Sequence, residues 1–317
     1  MTHWHRFGLF FLLSILLLAL VPLIDLAAGG GLMDFQAQAN RASEATGILW
    51  TSNLVNLVRL ALVEPGLWLL VLGSAVPTLA GLILLAMSPA AARQRFLARL
   101  NPLGIQRTSP LSALGSYGLI ILLLVTALII AGGIRYRLGG SYIFAVDLAS
   151  LSLWPAILSA AFLDQGAVLE EGGWRGVGQS VLTDAGVSPL LAAIVIGLAW
   201  GLWHVPRDIF AGLPGSLGLD TYLAFYLPAF LLGTVTTSIV AIYFMNRLNG
   251  ALLPAIMVHG LVNDSMGLSG IAPIEVALTP VHQITKALPL LAICLVLIAL
   301  TKGQLGQLKP SPPPSDN

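Results

Sequence analysis

Apolar residues along this chain fall in long runs separated by short polar gaps, the arrangement that bilayer-spanning segments produce. Runs long enough to cross the hydrocarbon predict helices near 7–28, 67–88, 112–133, 143–168, 186–206, 221–245, 250–267 and 284–301. The fold class expected is therefore all-α, a polytopic membrane helix bundle of about eight transmembrane helices. Arg6 precedes the first run and small residues follow it, as in a signal peptide. Its apolar stretch exceeds the ~7–15 residues of such a region, so an uncleaved first span is expected.

The polar gaps add orientation and organisation. Arg93, Arg95, Arg99 and Arg107 crowd the second connection. Cytoplasmic loops hold an excess of such residues, which puts that loop and both termini inside, in the plasma or inner membrane. Residues 1–140 read as N-terminal transmembrane helices and loops without a motif, 141–303 as a membrane core that carries the candidate chemistry, and 304–317 as a disordered cytoplasmic tail ending PSPPPSDN. Gly29 to Gly66 is too polar to span, although LVNLVRLALV (54–63) can lie as an amphipathic helix at the interface, as partner contact or plain connection. No period of 20–50 residues recurs, which excludes a solenoid.

Composition changes the picture in three respects. Hydrophobic residues make up 57%, charged residues 9% and the mean hydropathy is +0.89, against about a quarter charged residues in soluble domains. The lipid bilayer is thus the main solvent. A net charge of +1, with no basic stripe interleaved with aromatics, excludes nucleic acid as a partner. Cys294 stands alone, so one chain holds neither a disulfide nor a cysteine metal cluster.

An ionisable group within a span costs roughly 2.5–3.5 kcal/mol on insertion scales and therefore faces a cavity or a partner. The second half concentrates such groups: Glu170, Glu171, Arg175, His204 and His259, with Asn263 and Asp264 beside them, whereas comparable settings earlier hold only Asp25 and Asp147. Three pairs sit four residues apart and share a helix face: Glu171 with Arg175, Trp200 with His204, His259 with Asn263. Glu170 lies about 100 degrees around the helix from Glu171, so the two carboxylates need not do the same job. Glu171 and Arg175 read as an internal ion pair, with a carboxylate-binding guanidinium as the alternative. Glu170 reads as the general base, since a carboxylate and an imidazole in a partly dry cavity polarise a water. His259 and Asn263 can donate to a developing oxyanion. Gly172, Gly173, Gly176 and Gly178 serve close helix approach or a local unwinding, and Trp200 and Trp203 read as packing or interface residues.

EEGGWR (170–175), WGLWH (200–204) and HGLVN (259–263) together resemble the CPBP family, which joins type II CAAX prenyl endopeptidases with bacterial Abi or bacteriocin-processing proteins. The family's Glu-Glu-x-x-x-Arg, aromatic-x-x-x-His and His-x-x-x-Asn appear in order, over about residues 160–270. The resemblance implies Glu170 as the water-activating carboxylate working with His204, His259 and Asn263 as oxyanion stabilisers, and Glu171 and Arg175 as the supporting pair. Trp200 stands where family members often carry phenylalanine, a change that narrows the cavity without altering the chemistry.

The function expected is an intramembrane endopeptidase acting on a membrane-embedded or lipid-modified polypeptide near the cytoplasmic side. The predicted spans put Glu170 and His204 toward opposite ends of neighbouring helices, which requires the fourth helix to continue past Arg175. Glu170, His204 and His259 form the zinc set if a metal is bound, but HExxH is absent and a metal-free reading, with no cofactor, accounts for every motif residue. GxSG and GxGD motifs of other intramembrane proteases are absent. An ion- or proton-coupled transporter, and a non-catalytic scaffold or immunity protein, are the alternatives.

Overall fold

The computed structural model describes residues 2–31, 33–106, 108–138, 153–210, 212–263 and 278–307. Asp147, Asp264 and the tail from 308 onward lie outside the described residues. In chain order the helices are α1 His3–Ala27, α2 Phe35–Thr46, α3 Leu54–Ala61, α4 Leu67–Ala86, α5 Ala90–Arg99, α6 Pro110–Arg137, α7 Leu153–Leu163 and α8 Gln165–Glu171. A π-helical turn, Gly172–Gly178, joins α8 to α9 Gln179–Asp184, and α10 Pro189–Trp203 follows. The short α11 Val205–Phe210, α12 Leu213–Leu217 and α13 Leu219–Thr221 lead through a second π turn, Tyr222–Tyr226, into α14 Leu227–Arg247, α15 Leu253–Asn263 and α16 Pro280–Thr301.

Among the described residues, six helical stretches are long and apolar enough to cross a bilayer, and the shorter apolar α7 and α15 occupy the fourth and seventh expected spans. The chain is an integral membrane protein with an all-α bundle. Leucines on α1 such as Leu12, Leu16, Leu20 and Leu23 stay exposed, as lipid-facing side chains do when the solvent is hydrocarbon.

Two hydrophobic clusters build the bundle. One lies among α6, α7, α14, α15 and α16, around Ile120, Leu124, Phe244, Met257 and Leu261. The other joins α1, α4, the first π turn, α9 and α10, around Phe10, Trp174, Leu182, Ile196 and Trp200. Helix α14 packs on both α10 and α16, while α15 packs on α7, α8 and α14. The two clusters meet where α10 packs on α14, and α15, which carries the third motif, also packs on α8, where the first motif begins.

The fourth expected span needs correction. Hydropathy alone bounds the fourth span at 143–168, of which 143–152 lie outside the described residues; from Leu153 the chain is helical to Asp184, broken at Asp164 and widened into a π turn over Gly172–Gly178, so it runs past Arg175 as the site requires. Two features hide this helix from a hydropathy reading. Glu171 and Arg175 are polar residues that neutralise each other inside the bundle. The glycines lower the local hydropathy, yet they are where α4 comes closest: a Cβ on Gly173 would lie 2.2 Å from the Pro77 carbonyl oxygen, and Thr78 Oγ1 accepts the Gly173 N–H at 3.0 Å. The LVNLVRLALV segment is helical over Leu54–Ala61, with Val55, Leu62 and Val63 left exposed. As α3 it turns Leu57, Leu60 and Ala61 toward Ala39 and Ala42 of α2 and Leu67 of α4, so its apolar face packs on protein.

Arginines gather at one end of the bundle. Arg6 hydrogen-bonds Ser88 past the end of α4, Arg95 pairs with Asp184 at 3.1 Å at the end of α9, and Arg247 donates to Ser116 near the start of α6 at 3.1 Å.

Candidate active site

Helix α8 starts at Asp164, whose Oδ1 accepts the Ala167 N–H at 2.8 Å as an N-cap. That start fixes where Glu170 and Glu171 emerge, and they diverge as adjacent helical residues must. Glu170 is 5% exposed and its Oε2 accepts from Trp200 Nε1 at 2.8 Å. Glu171 is fully buried, and its Oε1 accepts from Arg175 Nη1 at 2.6 Å and from His259 Nδ1 at 2.8 Å. Arg175 also donates to Ser238 Oγ of α14 at 2.7 Å and lies 4.7 Å from the centroid of the Trp200 ring.

Hydrogen-bond partners fix the histidine tautomers. His204 Nδ1 lies 2.8 Å from the Trp200 carbonyl oxygen, which can only accept, so Nδ1 carries the proton and Nε2 of the neutral ring keeps its lone pair. His259 Nδ1 likewise donates to Glu171, leaving its Nε2 for other work. The Trp200 ring stands among these groups, 4.5 Å from the His259 ring and 5.8 Å from that of His204. Trp203 and Phe230 complete an aromatic wall around His204 at 4.9 and 5.3 Å. Asn263, four residues beyond His259 on the same face of α15, donates from Nδ2 to Asp164 Oδ1 at 3.1 Å. A Cβ on Gly166 would sit 3.0 Å from that nitrogen and 3.4 Å from Glu170 Oε1, so both border one small space.

The continuation of α8 through the π turn removes the conflict between Glu170 and His204. Glu171 lies on the order of 20 Å from Asp184 along its helix, and His204 a similar distance from Pro189 at the start of α10. Both therefore sit at comparable depth, well inside from the arginine-rich end rather than close to it. A separate cavity of about 260 Å³ at that end, lined by Arg99, Gln179, Thr183 and Asn246 among others, includes none of the motif residues.

A family model for Rce1-like type II CAAX prenyl endopeptidases matches residues 149–264, just over a third of the chain, and spans all three motifs. This part of the chain is similar to the Rce1-like proteases. Among curated proteins, none matches the chain closely enough to serve as a relative. The Rce1-like segment contains α7 through α15, so Glu170, Glu171, Arg175, Trp200, His204, His259 and Asn263 all lie within it, while α1 to α6 and α16 lie outside.

Two placements in the Rce1-like segment depart from the sequence reading. Trp200 is more than packing, because its indole N–H is a hydrogen-bond donor to Glu170 that phenylalanine would lack. Asp164 lies inside the predicted fourth span and carries the same signal as Glu170, an acid in an apolar run. Ser238 and Thr78 were invisible for another reason: neither lies near a motif in sequence, and only tertiary packing brings them to Arg175 and Gly173. For zinc, the donor set can be tested on geometry. Among the described residues no three His, Cys, Asp or Glu side chains converge as a ligand group, so Glu170, His204 and His259 do not fit one in this arrangement.

Proposed function

We propose that this protein is an intramembrane endopeptidase that hydrolyses a peptide bond of a membrane-embedded or lipid-modified polypeptide, in the manner of CAAX processing. The observation that carries the reading is the gathering of Glu170, His204 and His259, all buried, around one indole within the Rce1-like segment.

Glu170 accepts a proton from a water, whose oxygen attacks the scissile carbonyl carbon. The unprotonated Nε2 of His204 holds that water by accepting its other hydrogen. Negative charge then develops on the carbonyl oxygen, met by the free Asn263 N–H and, in its protonated form, by His259 Nε2–H while Nδ1–H stays on Glu171. Collapse breaks the carbon–nitrogen bond, and Glu170 returns its proton to the departing amine. Arg175 and Ser238 keep the Glu171 carboxylate in place, so that His259 cannot rotate. No metal enters these steps. By the positive-inside rule the arginine-rich end faces the cytoplasm, with both termini there, in a plasma or inner membrane.

The test is cleavage of a membrane-peptide library that includes farnesylated CAAX peptides, by purified protein in detergent. Wild type, Glu170→Ala and His259→Ala are compared, each with and without a chelator. Products formed by wild type alone, and unaffected by chelation, are expected. Loss of the products on chelation would overturn the metal-free route. Proton flux in liposomes with no product from any peptide would replace the peptidase with a transporter.

A further inference from the structure

We propose that Asp164 is a positioning residue whose carboxylate sets the orientation of the Asn263 amide beside Glu170; this rests on the peptidase reading given above. Asp164 is buried, and its Oδ1 serves two helices at once, accepting the Ala167 N–H of α8 and the Asn263 Nδ2–H of α15. An oxygen already accepting from a backbone N–H faces the nitrogen end of the amide, so Asn263 cannot flip its carbonyl toward Asp164 without losing the contact. One N–H is thereby spent on Asp164, and the other remains for the space that Glu170 Oε1 borders across Gly166.

The corner around Asp164 is held rigidly enough to act in this way. Gln165 N–H donates to the Ser52 carbonyl at 2.7 Å, Asn53 forms an isolated antiparallel bridge with Asp164, and Asn53 Nδ2 donates to Ser159 Oγ of α7 at 2.8 Å. Residues 52–53 lie outside the Rce1-like segment, which gives the N-terminal half a role in shaping the site. On the other side α15 presses close, since a Cβ on Gly260 would come within 2.1 Å of the Ala160 carbonyl oxygen and 2.9 Å of Asp164 Cβ. The glycine of the third motif therefore brings Asn263 within reach of this corner.

A helix cap alone would account for burial and for the Ala167 contact, so the experiment separates the two duties. Serine caps helices well but is too short to reach Asn263, whereas asparagine offers an oxygen to both partners. Cleavage of a farnesylated CAAX peptide is measured in detergent for wild type, Asp164→Ser, Asp164→Asn, Asn263→Ala and the double variant Asp164→Ser/Asn263→Ala. Loss of an oxyanion donor costs about 10²–10³ in kcat, so Asn263→Ala falls in that range and Asp164→Ser falls at least ~10-fold with KM unchanged. Asp164→Asn recovers part of that loss. The double variant is no slower than Asn263→Ala, because Asp164 acts through a side chain already removed. Independent losses that multiply, or full activity in Asp164→Ser, overturn the inference while leaving the peptidase intact. A folded wild type that cleaves nothing overturns the peptidase reading, and this inference with it.

Discussion

Several polar contacts of α1 to α6 reach residues in the connections between helices: Arg6 reaches Ser88, Arg41 pairs with Glu64 at 2.8 Å, and Tyr117 donates to the Pro102 carbonyl. The Rce1-like part does the opposite. Glu171, Arg175 and His259 lie inside the bundle, each hydrogen-bonded to a residue on another turn or another helix. Exposed polar groups such as Arg41 constrain little. Groups inside must satisfy one another, and the bonds that do so also fix tautomers and directions. The first half therefore reads as a scaffold, and the second as a site whose geometry is over-determined.

Removing one charge from the interior separates the halves most sharply. Arg175→Ala leaves the Glu171 carboxylate buried without its guanidinium, and thermal unfolding in detergent should show a loss of about 3–5 kcal/mol. A smaller contrast comes from one substitution in two places. Gly260→Ala drives a methyl into the Ala160 carbonyl and is expected to destabilise by about 1–3 kcal/mol, whereas Gly115→Ala on α6 meets nothing within 4 Å and should raise stability by less than ~1 kcal/mol. Trp200→Phe keeps the ring that packs on His259 but deletes the donor to Glu170. It should lower kcat about 10-fold, by steady-state assay, and destabilise by about 1–3 kcal/mol, because the buried Glu170 carboxylate loses its indole donor. Smallest of all, Arg41→Ala breaks an ion pair whose arginine is 58% exposed and should leave both unfolding and cleavage as they are.

Apolar run length made the helices legible, since each expected span coincides with an apolar helix or its described part. It failed at Asp164, because an average over a bilayer-length window cannot register one capping residue inside an apolar run. It failed again at the π turn, where the polarity of Glu171 and Arg175 is cancelled by a contact that hydropathy does not see. Within the site, the four-residue spacings were legible because a helix places such residues on one face. Glu171 meeting His259, Asn263 meeting Asp164 and Arg175 meeting Ser238 were not, because each pair joins distant parts of the chain through packing alone.

Glu170 is the group on which water activation rests in the proposed reaction. Its most direct test is the rate of farnesylated CAAX peptide cleavage by wild type and by Glu170→Gln, reconstituted in the same liposomes, with thermal unfolding recorded for both. Glutamine keeps the shape and can still accept from Trp200, but it cannot take a proton. A fall of about 10²–10⁴ with unfolding unchanged is the predicted result. Cleavage by Glu170→Gln at the wild-type rate would contradict it.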